Sequence, residues 1–253
     1  MTLTQVDRVV SVHGLKLHYR ETRETSESAV GRGVPVVALH GHPGTAATWD
    51  AVAGALCAGG DGARGDGRAS RFLALTQRGY GLSARASSYA YGDFAADVHG
   101  FAEALGLDAF VLLGHSFGGT IASLAAGLDP ARLLGLVLED SVLPRDPRPG
   151  RFPEPPPGEL PYDRDLVSAI GSQFADPDPA WWASLARIAC RTLIICGGST
   201  SHVPQKLLAD AAELIPHARA VTLEGAGHTA HRTQPDRFAA QVRAFLGELA
   251  AGA

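Results

Sequence analysis

The chain has little sulphur and little that would carry it into or across a membrane. Three cysteines, Cys57, Cys190 and Cys196, are spread along 253 residues with no C-x-x-C pair, which excludes a disulfide framework and a zinc ribbon and suits a reducing cytoplasm. No run approaches the roughly 20 apolar residues that a bilayer-spanning helix needs. Met1 to Val10 has no basic stretch leading into an apolar segment, so a soluble, unexported protein is expected. Lysine and arginine are scattered, the net charge is -4 and the pI is about 6.2, so neither nucleic acid nor an anionic membrane is an expected partner. Internal repeats are also absent. What remains, 45% apolar residues in 26.3 kDa, is enough for one substantial core and favours small-molecule chemistry.

The apolar runs set the architecture. Val6 to Val12 and Leu15 to Glu21 alternate apolar and polar residues around Gly14, predicting an antiparallel hairpin. Val34 to Leu39, Phe72 to Leu75, Phe110 to Leu113, Leu133 to Leu138, Thr192 to Cys196 and Ala220 to Leu223 are short continuous runs, as in strands buried on both faces. Helical spacing separates them, at Trp49 to Leu56, Asp93 to Leu105, Ile121 to Leu128, Gln205 to Leu214 and Phe238 to Leu249. Strand and helix in alternation make a parallel sheet covered on both faces. Gly59 to Ser70 is a glycine-rich connection without the spacing of a phosphate loop. Pro144 to Pro161 is thick with proline and arginine and favours extended chain, with short helices expected at Leu166 to Phe174 and Trp181 to Ile188. Residues 141–189 read as a lid inserted into a core of residues 1–140 and 190–253.

The stretch with chemical content is Gly114-His115-Ser116-Phe117-Gly118. A strand that passes at once into a helix needs a tight turn, and glycines two positions either side of Ser116 leave room for it. Ser116 is then a candidate nucleophile. A hydroxyl needs a base, and His228, in the Gly-rich loop after the last strand, is the leading candidate; His231 is the reserve. Two oxyanion donors are expected, the backbone N–H of Phe117 after the nucleophile and that of His42 in the loop His40-Gly41-His42-Pro43-Gly44. His40 and His42 also fit an H-x-H metal pair, but no further cluster completes a site in the sequence, and no metal or other cofactor is expected.

These motifs, with Arg78-Gly79-Tyr80-Gly81-Leu82-Ser83 and Gly227-His228, resemble the α/β-hydrolase-fold superfamily of the lid-bearing serine hydrolase type over nearly the whole chain. The resemblance implies a mostly parallel eight-stranded sheet with helices on both faces and a small lid. It also implies a triad of Ser116, His228 and a carboxylate, acting on an ester, lactone, thioester or similar acyl bond of a small molecule. Two positions depart from the family pattern. Thr76 stands where an aspartate usually precedes the R-G-x-G-x-S turn. Thr200 stands where the acid usually follows the strand ending at Cys196, and no carboxylate lies between Ala189 and Asp210.

The preceding strand ends at the same sheet edge, only about 4.8 Å away. Some members, haloalkane dehalogenases among them, take their acid from there, which points to Asp140. Consecutive strand residues face opposite ways, so Glu139 and Asp140 cannot both reach one ring; Asp140 is the preferred acid and Glu139 the alternative. Dehalogenation itself is disfavoured, because those enzymes use an aspartate nucleophile. A C–C hydrolase, a lyase or a perhydrolase on the same scaffold, and a non-catalytic small-molecule-binding protein, are the rival readings. The lid aromatics Phe152, Tyr162, Phe174, Trp181 and Trp182 are candidates for the wall of an apolar pocket above Ser116.

Overall fold

The computed structural model describes residues 2–25, 33–58, 67–147, 155 and 157–251. The hairpin is β1 (Leu3–Val12) and β2 (Leu15–Glu24), each longer than the alternation alone defined. Then come β3 (Val34–Leu39), α1 (Asp50–Cys57), β4 (Ala69–Leu75), α2 (Tyr91–Ala104), β5 (Phe110–His115), α3 (Phe117–Leu128) and β6 (Leu133–Glu139). After α4 (Arg164–Ala175) and α5 (Pro179–Ser184) the core resumes with β7 (Arg191–Cys196), α6 (Gln205–Leu214), β8 (Ala218–Thr222), α7 (Ala230–Thr233) and α8 (Pro235–Ala251).

The strands form one eight-stranded sheet in the order β1-β2-β4-β3-β5-β6-β7-β8. β1 with β2 and β2 with β4 are antiparallel; every other pairing is parallel. The continuous apolar runs follow from this topology, because alternate residues of one strand feed two separate cores. On β5, Phe110 and Leu112 pack with Phe101 and Ile121 of α2 and α3, whereas Val111 and Leu113 pack with Leu56 of α1 and Phe238 and Phe245 of α8. α8 meets the sheet through Phe238, Val242, Phe245 and Leu246, the spacing of one helical face.

The turn after β4 is tied down by polar contacts. Arg78 makes a two-pronged pair with Asp97 of α2 at 2.7 and 2.8 Å, both side chains buried. Thr76 Oγ1 takes the Ala46 amide at 3.0 Å and lies 3.0 Å from His18 Nδ1, so this threonine bonds locally where an aspartate is usual.

Between β6 and β7 the two helices carry their own start signals: Asp163 and Asp178 accept from the amides of Asp165 and Ala180 at 3.2 and 2.8 Å. Proline at the first position of α5 needs no amide partner there. α5 ends at Ser184, and a 3-10 turn, Leu185–Arg187, replaces the helix expected to reach Ile188. Phe152, residues 59–66 of the glycine-rich connection and part of the proline-rich segment lie outside the described residues. Among the described residues no helix is long and apolar enough to cross a membrane.

Candidate active site

Ser116 sits between β5 and α3 with φ 52° and ψ -119°, a conformation L-residues adopt at a cost. The neighbouring glycines make it possible. A Cβ at Gly114 would lie 2.4 Å from the Gly118 carbonyl oxygen, and one at Gly118 would lie 2.3 Å from that of Leu39. The bend turns the serine hydroxyl out of the sheet edge, while α3 aims its first amides at the same space.

The loop after β8 brings His228 to that hydroxyl. Its Nε2 lies 2.9 Å from Ser116 Oγ, and its Nδ1 lies 2.7 Å from Asp140 Oδ2. With Nδ1–H donating to the carboxylate, Nε2 presents a lone pair to the serine proton. Asp140, just past β6 and with φ 38°, is fully buried. Its other partners come from the segment after β7: the Ser201 hydroxyl donates at 2.5 Å, and the Gly197 amide and Gln205 Nε2 donate to Oδ1 at 3.1 Å each. Burial alone would raise this carboxyl's pKa, but the bonds from His228, Ser201, Gln205 and Gly197 outweigh it and hold it below the usual range.

Glu139 goes elsewhere. It accepts from the His231 amide at 2.8 Å and lies 2.8 and 2.9 Å from His231 Nδ1, with both side chains fully buried. His231, the reserve base, is thereby turned to Glu139 and not to Ser116. Likewise His40 is occupied: Nδ1 donates to the Gly41 carbonyl at 2.9 Å and Nε2 accepts from the Gln77 amide at 3.1 Å, which leaves no H-x-H pair with His42. Burial pushes the His40 pKa down to about 4.

A cavity of about 400 Å³ opens over Ser116. His42 and Phe117 both border it, and Phe117 is the first residue of α3, where an amide has no acceptor within its helix. Val142, Ile170, Phe174, Val203 and Leu207 make most of its wall apolar, and among the described residues no lysine or arginine borders it. Of the aromatics expected there, Phe174 is in place. Trp181 instead borders a second cavity of about 380 Å³, because α5 packs against α3 and not across the mouth. Trp182 stacks under Arg145, and Tyr162 packs edge-on against His42 at 5.0 Å.

Three residues near Ser116, His228 and Asp140 carry no motif. Ser201 and Gln205 brace Asp140, and the His202 ring lies 4.1 Å from that of His228 on the cavity wall. The one clue in the sequence is Thr200, where the family pattern has a carboxylate: the loop around it donates to Asp140 instead.

A family model described as "Alpha/beta hydrolase family" matches residues 36–241. N-formylmaleamate deformylase of Pseudomonas putida is 34% identical over 160 residues, 62% of this chain and 52% of that protein. Epoxide hydrolase B of Mycobacterium tuberculosis is 28% identical over 138 residues, 53% of this chain and 35% of that one. The chain thus spans about half or less of the length of these curated relatives. A thermophilic esterase from Thermogutta terrifontis superposes with a TM-score of 0.76 at 22% identity, over 96% of this chain and 99% of that one, a likeness of fold alone.

Proposed function

The chain belongs to the alpha/beta hydrolase family, and on that premise we propose that it is a serine hydrolase cleaving a carboxylic ester, lactone or related acyl bond through an acyl-enzyme. The observation that carries this reading is the unbroken contact from Ser116 Oγ through both nitrogens of His228 to Asp140. Ser116 Oγ attacks the carbonyl carbon as its proton passes to His228 Nε2. The amides of Phe117 and His42 hold the resulting oxyanion. The proton then goes from His228 to the leaving atom as the acyl bond breaks, and a water repeats the sequence to release the acid. Asp140 fixes the tautomer of the ring and stabilises the imidazolium without taking its proton.

The cavity supports a small, apolar and uncharged group next to the reacting carbonyl, since among the described residues its wall is mostly apolar and no lysine or arginine borders it. Residues 141–189 act as the lid, contributing Val142, Ile170 and Phe174 to that wall, over a core of residues 1–140 and 190–253. Three buried free thiols accord with a cytoplasmic location. The name of the Pseudomonas relative, a deformylase, makes an N-formyl amide the second bond to test.

The test is labelling with a fluorophosphonate, followed by a panel of esters and lactones of graded chain length and N-formyl amides. Label on Ser116, lost in Ser116→Ala together with at least about 10⁴-fold of the turnover, is the expected result. Turnover surviving in a folded Ser116→Ala protein overturns the assignment.

A further inference from the structure

β1 is an outer strand of the sheet, and among the described residues no strand pairs with its far edge. It is ten residues long and matches β2 residue for residue without a bulge. An edge of that length offers its unpaired amides and carbonyls to another strand unless proline, lysine, an inward charge or a bulge blunts it. Leu3-Thr4-Gln5-Val6-Asp7-Arg8-Val9-Val10-Ser11-Val12 has neither proline nor lysine, and its two charges are engaged by β2, Asp7 with Arg20 and Arg8 with Glu21. Of the six large apolar side chains exposed among the described residues, three lie on this strand: Leu3 at 40%, Val6 at 43% and Val9 at 60%. They are evenly spaced, with Val6 midway between the other two.

The backbone fixes which residues can bond outward. His13 (φ 48°) and Gly14 (φ 81°) make a two-residue turn of the primed type, closed by Val12 and Leu15. Pairs that exchange hydrogen bonds alternate with pairs that do not, and the bond from the Thr25 amide to the Thr2 carbonyl at 3.0 Å marks the even-numbered residues of β1 as those bonded to β2. The odd-numbered residues therefore turn their amides and carbonyls to the open edge.

We propose that β1 pairs with β1 of a second copy of this chain, antiparallel about a two-fold axis at Val6, joining the two sheets edge to edge. A two-fold perpendicular to the sheet sets odd residues against odd and even against even, as the outward bonds require. In this register Leu3 lies opposite Val9 of the second copy, Val6 opposite its own counterpart and Val9 opposite Leu3, so all three exposed apolar side chains meet apolar ones. Gln5 falls opposite Asp7 and Thr4 opposite Arg8, and no like charges are opposed. Other registers do worse. An axis at Asp7 sets carboxylate against carboxylate and one at Arg8 sets guanidinium against guanidinium. Axes at Gln5 or Val9 carry one end of the apolar stripe past the end of the opposing strand. The contact is the same patch on both copies, so it closes at a dimer and leaves no β1 edge exposed.

Among the described residues none of β1 borders the cavity over Ser116, so the assembly is tested apart from turnover. Sedimentation equilibrium over about 1–300 μM, the range in which a small interface dissociates, should show a monomer–dimer equilibrium. Val6→Lys places two ammonium groups at the axis and should weaken the dimer at least about tenfold, with circular dichroism unchanged. Leu134→Lys, at an exposed apolar position outside β1, should leave it intact. Register is read by cross-linking. Across the axis the two Val6 Cα atoms stand about 4.5 Å apart, within a disulfide's span, so Val6→Cys should oxidise to a covalent dimer. Val9→Cys, about 20 Å from its own counterpart, should not. The native cysteines are buried and add no cross-link. A monomer at every concentration, a dimer indifferent to Val6→Lys, or cross-linking as ready through Val9→Cys as through Val6→Cys overturns the proposal.

Discussion

Glu139 and Asp140 are consecutive in the chain, yet their carboxylates bind two different imidazoles, Glu139 that of His231 and Asp140 that of His228. Glu139 is the last residue of β6, whereas Asp140 lies just past it with φ 38° and turns to the edge where Ser116 stands.

The two carboxylates should therefore separate cleanly by mutation. Asp140→Asn is expected to lower kcat by about 10³–10⁴-fold, since the amide no longer holds His228 in the required tautomer. Glu139→Gln should leave kcat within about tenfold but lower the melting temperature by about 5–10 °C, through loss of a buried charged hydrogen-bonding group. Kinetics beside thermal melts check both, and the reverse ranking would move the acid to Glu139.

The loop after β7 makes its own prediction. Ser201→Ala removes the donor nearest Asp140 Oδ2, leaving Gly197 and Gln205 on the other oxygen. A fall in kcat of about tenfold, with KM nearly unchanged, is expected from a residue that positions the acid without touching substrate. Adding Gln205→Ala should cost less or more than the sum of the singles, because both donors share one carboxylate.

Two glycines should respond in opposite directions to alanine. Gly118→Ala puts a Cβ 2.3 Å from a backbone oxygen of β3 and should abolish soluble folded protein. Gly92→Ala, in the first turn of α2 with nothing within 4 Å of the new atom, should be neutral or stabilising by about 0.5–1 kcal/mol. Yield and chemical denaturation distinguish them.

Stability should fall with pH earlier than the carboxylates alone would dictate. Burial holds His40 and His115 at about 4, against 6.5 in the unfolded chain. Between those values the unfolded state binds the extra protons, so stability is full above about pH 6.5 and is lost as pH falls toward 4. Two such groups give a slope approaching about 2.7 kcal/mol per pH unit. Asp140 and Glu139, both held below their usual values, extend the loss further into acid. Denaturant titrations from pH 7 to pH 4 measure the slope, which His115→Asn should roughly halve. A flat profile above pH 5 would contradict it.

The sheet and the positions around Ser116 were legible because local chemistry dictates them: six apolar runs need two covered faces, and two glycines leave room for one serine turn. The two-residue period of a strand allowed only one of Glu139 and Asp140 to face the ring, and the resemblance to members that take their acid from this strand pointed to Asp140. Less was legible where the partner lies far off in the chain. The bracing of Asp140 by Ser201 and Gln205 depends on how β6 and β7 align, which no local pattern records. Trp181 resembled a pocket wall because aromatic content says nothing of direction, and α5 turned it toward α3. Glu139 and His231 lie far apart in the sequence, so their pairing is visible only in the folded chain.

An acid at Asp140, one strand ahead of the family's usual place, as proposed, would have a consequence for how such sites can change over time. Because the ends of β6 and β7 sit side by side above the same ring, a carboxylate can be gained on one before it is lost from the other. A lineage can pass through a form with two acids, keep its activity throughout, and end with the burden carried by a different strand. With Asp140 in that place, position 200 has no need of a carboxylate, and the loop around it has only to keep a hydroxyl and an amide facing inward.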